Sequence, residues 1–147
     1  MIRTAVGAIV FHGNKFLIVQ KTSINTLKGR QNINGEWDFI KGGVEERDMD
    51  INAALLRELQ EETGSKMYEI VQAFPNKICF DFSAERKVQI GYTSQETTMF
   101  LVEFLGDIQS LSPNDSEIST IKWVDKDDVV GRLTHQDTKD YFIKYIM

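Results

Sequence analysis

The residues best able to do chemistry lie between Lys41 and Glu62, where seven acids stand against three bases. Most of the chain's formal charge of −5 is gathered in this one stretch, so a neutralising partner is expected there. On a helix, Glu61 and Glu62 fall roughly 60° and 40° to either side of Glu58, so all three carboxylates leave from one face. Like charges this close repel, and divalent cations relieve the repulsion most directly. Hard oxygen donors favour Mg²⁺, or Mn²⁺, over zinc. Taken alone, three glutamates also describe a solvated helix face with Arg57 paired to Glu61 at i, i+4. What precedes the helix shifts the balance: Gly42 and Gly43 let the backbone come close to a metal or phosphate, and Lys41 offers a charge to phosphate oxygens.

These groups need a scaffold, and the sequence sketches one. Asp50 is a candidate N-cap, and Ile51, Ala54, Leu55 and Leu59 recur at helical spacing until Gly64 supplies a stop. Thr4 to Phe11 and Lys15 to Lys21 read as a hairpin turned at Gly13-Asn14. Residues 22 to 35 are polar and predict a surface loop near the site, followed by a short strand at Trp37-Asp38-Phe39. Further strands are predicted at Ile70 to Phe74, Ile78 to Phe82, Val88 to Tyr92, Thr98 to Leu105 and Ile118 to Val124, with closing helices at about 125–131 and 135–146. Strands interleaved with helices imply an α/β fold in which a mixed sheet is covered on both faces.

Size and composition set the outer bounds. A chain of 147 residues with 41% hydrophobic and 27% charged residues is of single-domain size, and one domain over residues 1–147 is expected. With 17 Lys and Arg against 22 Asp and Glu, the balance argues against a broad basic nucleic-acid-binding face, though not against a local basic pocket. The single Cys79 has no disulfide partner in the chain, which fits a reducing cytoplasm. No stretch approaches the roughly 20 apolar residues of a membrane span, so no membrane partner is expected. His12 and His135 read as turn and cap residues, with no second ligand at a metal-binding spacing.

The segment from Gly43 to Ser65 resembles the Nudix box, G-x5-E-x7-R-E-U-x-E-E-x-G-U with U aliphatic: Gly43, Arg57, Glu58, Leu59, Glu61, Glu62 and Gly64 fall in register. Met49 stands where the box has its first Glu, and Ser65 where it ends on an aliphatic residue. Asp48 and Asp50 flank Met49 and could partly compensate. The resemblance implies a Nudix-type α/β/α sandwich. It also implies a metal-dependent hydrolase of diphosphate linkages, in which Glu58, Glu61 and Glu62, with the Gly42 carbonyl, hold Mg²⁺ (or Mn²⁺). Glu58 would act as base, oriented by Arg57, and Glu117 is a further candidate for metal binding or base chemistry.

Outside the box, Arg3 to Gly7, the Trp-x-Phe-x-Lys-Gly-Gly run and the strand from Gln95 to Phe104 look similar to two related branches, dinucleoside polyphosphate hydrolases and RNA 5′-pyrophosphohydrolases. The implied partner is a nucleotide polyphosphate or the 5′ end of RNA, with Arg3, Lys21 and Lys41 as candidate phosphate contacts. Tyr92, Phe80 and Phe82 could stack on a base, although packing in a core is the commoner fate of aromatic residues. Two other readings stay open: hydrolysis of ADP-ribose or a nucleoside triphosphate, and nucleotide sensing without cleavage, the latter motivated by Met49.

Overall fold

The computed structural model describes residues 1–147, and its eight strands join one mixed sheet. The first two strands, β1 (Ile2–His12) and β2 (Lys15–Thr26), turn at Gly13, whose φ of +59° a residue with a Cβ rarely adopts. They pair only next to that turn, at Phe11–Phe16 and His12–Lys15. Beyond it they diverge. β1 is taken up by β7 (Ser94–Phe104) in parallel and by β4 (Ile40–Gly43) antiparallel, whereas β2 lies between β3 (Gly29–Asp38) and β8 (Ile118–Asp125). β5 (Tyr68–Ala73) and β6 (Ile78–Asp81) both pair with β7. The splay between β1 and β2 opens a cleft at the end of the sheet far from Gly13.

Helices cover both faces, as an α/β/α sandwich requires. α1 (Ile51–Thr63) presses Ala54, Leu55 and Leu59 onto one face, among Val6, Leu17 and Phe104. α4 (Gln136–Tyr145) covers the other, where the Phe142 ring meets Phe16 at 5.1 Å and Phe39 at 5.8 Å. Because β1 is central and covered on both sides, Ala5, Val6, Ala8, Ile9 and Val10 are all fully buried, a continuous apolar run rather than an alternation. No helix is long and apolar enough to cross a membrane.

Three sequence expectations need correction. Residues 22 to 35 are not a loop: β2 and β3 continue as a two-stranded arm, paired from Ser23–Asn32 to Thr26–Gly29. Its polar composition reflects exposure of the arm, and the backbone pairing that makes it a strand leaves no hydrophobic signature. Val88 to Tyr92 is not a strand either. The segment belongs to α2 (Ala84–Ile90), started by Ser83, whose side chain accepts from the Arg86 amide, and stopped by Gly91 at φ 80°. The alternation of Val88, Ile90 and Tyr92 imitated a strand because α2 buries no residue and so carries no helical apolar stripe. The helix expected at 125–131 is a 3₁₀ turn, Lys126–Asp128, running into a single α-helical turn, α3 (Val129–Arg132).

Candidate active site

The open end of the splay forms a cavity of about 1130 Å³. Arg3, Lys21, Lys41, Gly42, Arg57, Glu58, Glu61 and Glu117 all line it, so residues from five separate stretches of sequence meet in one place. Glu62 lies behind this lining, fully buried. Acids outnumber bases around the wall.

α1 supplies the carboxylates, and its roll is set by Ala54, Leu55 and Leu59 in the core. The Asp50 side chain caps its first turn by accepting from the Ala53 amide at 2.8 Å. The three glutamates share a face, as expected, but not an environment. Glu61 is two-fifths exposed, the Glu58 side chain only 12%, and Glu62 just 1%. Burial pushes the Glu58 carboxyl up to about 7 against the opposing pull of Arg57. Burial raises Glu62 as well, opposed by the charge of Lys21. Its Oε2 is buried with no hydrogen-bond partner.

Arg57 is the hub. Its Nε and Nη2 donate to both oxygens of Asp48 at 2.8 and 3.0 Å, Nη2 also donates to the Gly43 carbonyl at 2.9 Å, and Nη1 reaches Glu58 at 3.0 Å and Glu61 at 3.1 Å. These contacts use every nitrogen of the guanidinium fork, which fixes its plane. Asp48 and Asp50 therefore do not replace a carboxylate at position 49. Asp48 orients Arg57, Asp50 caps the helix, and Met49 is 95% exposed to solvent.

β4, absent from the sequence-based expectation, brings Gly42 and Gly43 beside α1 by pairing them with Val6 and Ala5. A Cβ on Gly42 would fall on the Glu58 carboxylate, and one on Gly43 would come within 2.7 Å of the Arg3 guanidinium. Both glycines are needed for close approach. The Arg3 Nη1 donates to Gln95 Oε1 at 2.7 Å, which holds its head against β4. Lys41 is more committed: Nζ lies 3.2 Å from Asp38 Oδ1 and donates to Thr138 Oγ1 at 3.0 Å, with only 10% of the side chain exposed. Glu117 is held from the β2–β3 arm, where Asn25 Nδ2 donates to Oε1 at 2.9 Å. Its charge adds to the upward push on both Glu58 and Glu62.

The residues that sequence reasoning missed are those whose role depends on distant neighbours. Gln95 and Thr138 carry no motif, Asp48 was considered only as a stand-in for the carboxylate at position 49 and not as the partner of Arg57, and Asp115, which accepts from the Glu117 amide, could have been suspected only from its place two residues before Glu117. Arg86 on α2 also lines the cavity and was hidden by the strand reading of its C-terminal neighbours. His12 and His135 stay outside the carboxylate cluster: His12 Nδ1 bonds the Phe104 carbonyl, and His135 stands at the N-cap of α4, 3.2 Å from Glu36.

The donor set fits a divalent cation. The unpartnered Glu62 Oε2, the Glu58 carboxylate against Gly42, and oxygen donors throughout are the chemistry of a hard ion. No three acidic, His or Cys side chains converge on a single point, because Arg57 lies between Glu58 and Glu61 and takes an oxygen from each. Ion binding at this face therefore competes with those two hydrogen bonds.

Comparison with known proteins agrees with this architecture. The sequence model of the NUDIX domain matches residues 1–146. Nudix hydrolase 25 of Arabidopsis thaliana is 30% identical over 136 residues, covering 84% of this chain and 77% of that protein. An RNA pyrophosphohydrolase of Bartonella bacilliformis is 27% identical over 131 residues, covering 83% of this chain and 76% of that protein. Among solved structures, a NUDIX hydrolase from Nitrosomonas europaea superposes with a TM-score of 0.73 at 15% identity, over 99% of this chain and 88% of that one.

Proposed function

We propose a substrate and a chemistry for this chain, which belongs to the Nudix family and is one of its hydrolases. As a single domain of residues 1–147 it hydrolyses a diphosphate linkage in a nucleotide polyphosphate, with dinucleoside polyphosphates or the 5′ end of RNA as substrate. One observation carries the reading: Glu58, Glu61 and Glu117 share a cavity with Arg3 and Lys21, and the unpartnered oxygen of Glu62 lies behind them. The relatives named as RNA pyrophosphohydrolases support the RNA arm. The lone, exposed Cys79 is in keeping with a reducing cytoplasm as its place of work.

Glu58, Glu61, Glu62 and Glu117, with the Gly42 carbonyl, would hold Mg²⁺ or Mn²⁺. When bound, such an ion offsets charge on the phosphate oxygens and lowers the pKa of water. The chain's own residues do the rest. Glu58, held against Gly42 and bonded to Arg57, accepts a proton from the attacking water at its carboxylate. Arg57 fixes the orientation of that carboxylate through Nη1. Arg3 and Lys21 meet phosphate oxygens, whereas Lys41 offers a charge already shared with Asp38 and so contributes chiefly to position.

The test is a substrate panel in Mg²⁺ with product identification: diadenosine tetraphosphate, a 5′-triphosphate RNA and ADP-ribose. Higher kcat/KM on either of the first two is expected. A preference for ADP-ribose above tenfold would overturn the substrate reading, and inertness toward all three would favour nucleotide sensing.

A further inference from the structure

Glu117 differs from the other candidate ion ligands in having no helix or strand to carry it. Residues 105–117 link β7 to β8 without either kind of element, and Glu117 is the last of them. The charges of Glu58 and Glu62 repel it. Left to itself, a carboxylate at the end of such a link turns toward water and away from its like charges.

What holds it is the start of the β2–β3 arm. The Thr22 amide donates to the Glu117 carbonyl at 2.9 Å, Ser23 Oγ to the Ser116 carbonyl at 3.0 Å, and Asn25 Nδ2 to Glu117 Oε1 at 2.9 Å. Ser23 and Asn25 alternate onto one face of β2, and Arg30 stands directly opposite Asn25 on β3, so the three side chains address the same loop. Arg30 Nη1 lies 3.9 Å from Asp115 Oδ1 and 4.0 Å from Glu117 Oε1, an attraction that offsets the repulsion from α1. The register slips at the same place: Gln20 faces Thr120 but Lys21 faces Ile118, so Ser119 is an extra residue, and such a bulge re-aims the side chains beside it.

The arm is itself fixed at both ends. The sheet holds its root, and at its tip the Leu27 amide donates to the Gln89 carbonyl of α2 at 2.8 Å, with Gln89 Nε2 donating to Gln31 Oε1 at 3.2 Å. Asn25 engages only Oε1 of Glu117, which leaves Oε2 for other partners in the cavity that Glu117 lines.

We propose that the β2–β3 arm is a brace for Glu117 and that Asn25 is the positioning residue through which it acts. The inference rests on the role given to Glu117 above and adds that this carboxylate is held for use by an exposed polar arm rather than by its own loop.

A double-mutant cycle with Glu117→Ala tests it, read by kcat and KM in Mg²⁺ and, without substrate, by Mn²⁺ affinity in calorimetry. Asn25→Ala and the similarly sized Asn25→Leu, which both lack the donor, should each lower kcat about fivefold, with KM within about twofold of the parent. Both should weaken Mn²⁺ binding about threefold while Tm stays within about 2 °C. Asn25→His, which restores an N–H on a short side chain, should stay within about twofold of the parent in kcat. In the Glu117→Ala background, all three substitutions should be silent. Parent-like kcat and Mn²⁺ affinity in Asn25→Ala, or losses that persist undiminished without Glu117, would overturn the brace. A parent that hydrolyses no substrate, yet loses Mn²⁺ affinity on Asn25→Ala only when Glu117 is present, would instead sink the proposed reaction and leave the brace standing.

Discussion

Asp48 is the residue whose importance the structure raises most. Both its oxygens are spent on Arg57, while the neighbouring Met49 is turned to solvent. Loss of the Asp48 charge should loosen the guanidinium that orients Glu58. Asp48→Asn is therefore expected to lower kcat/KM about tenfold or more, whereas Met49→Glu should change it by less than about tenfold, or roughly 1.4 kcal/mol. Steady-state kinetics at one saturating Mg²⁺ concentration compares the two; a larger effect at Met49 than at Asp48 would refute the assignment. The same variant carries a pH signature. The hydrogen bonds from Arg57 hold the Asp48 carboxyl at about 2, below its ordinary 3.8. A depressed folded-state pKa contributes stability above the unfolded value and loses it as pH falls through the folded one. Thermal melts of the parent should accordingly weaken between pH 4 and 2 by more than melts of Asp48→Asn do.

At the scale of elements, the site is an encounter between a helix and a short strand. α1 is held by its apolar stripe, β4 by its register with β1, and the two approach closely enough that Gly42 has no room for a methyl group beside Glu58. Gly42→Ala must displace the end of the Glu58 side chain, since β4 is anchored by the sheet. Turnover is expected to fall at least tenfold while Tm moves only a few degrees, because the atom displaced is the tip of a side chain rather than backbone. Parallel measurement of kcat and Tm decides this: a variant with normal turnover would show that Glu58 does not act from its place against β4. The β2–β3 arm illustrates the converse case, in which an element made of polar residues is fixed by pairing to its partner strand and by the Leu27–Gln89 bond.

For the molecule as a whole, the site is a concentration of negative charge inside a chain that is already net −5, with one carboxylate fully buried. Such an arrangement opposes folding and is relieved by bound cations. Mg²⁺ at about ten times its Kd should raise Tm by on the order of 3–6 °C, beyond the effect of NaCl at equal ionic strength. Glu62→Gln removes the buried charge, so it should melt about 2–4 °C higher than the parent without Mg²⁺, gain less from Mg²⁺, and turn over about 100-fold more slowly. Scanning calorimetry with EDTA, NaCl and MgCl₂ separates these outcomes. Equal Mg²⁺ stabilisation of parent and variant would remove Glu62 from the ion's surroundings.

What the sequence alone determined was whatever near neighbours dictate. The register of Arg57, Glu58, Glu61 and Glu62, the cap at Asp50, the stop at Gly64 and the hairpin at Gly13 all depend on residues a few positions apart. So does the alternation of helix and strand that implied a sheet covered on both faces. Local spacing could place three glutamates on one face of α1, but not say that Glu61 meets water while Glu62 is fully buried within reach of the Lys21 charge. Solvation depends on what packs against a face, not on the face itself. Likewise, Lys41 is tied to Thr138 and Arg3 to Gln95 across more than ninety residues of sequence, and no periodicity reports such pairs. Tertiary structure decided which charges are free to meet a substrate, because only the folded chain sets which partners each side chain finds and how much water it keeps.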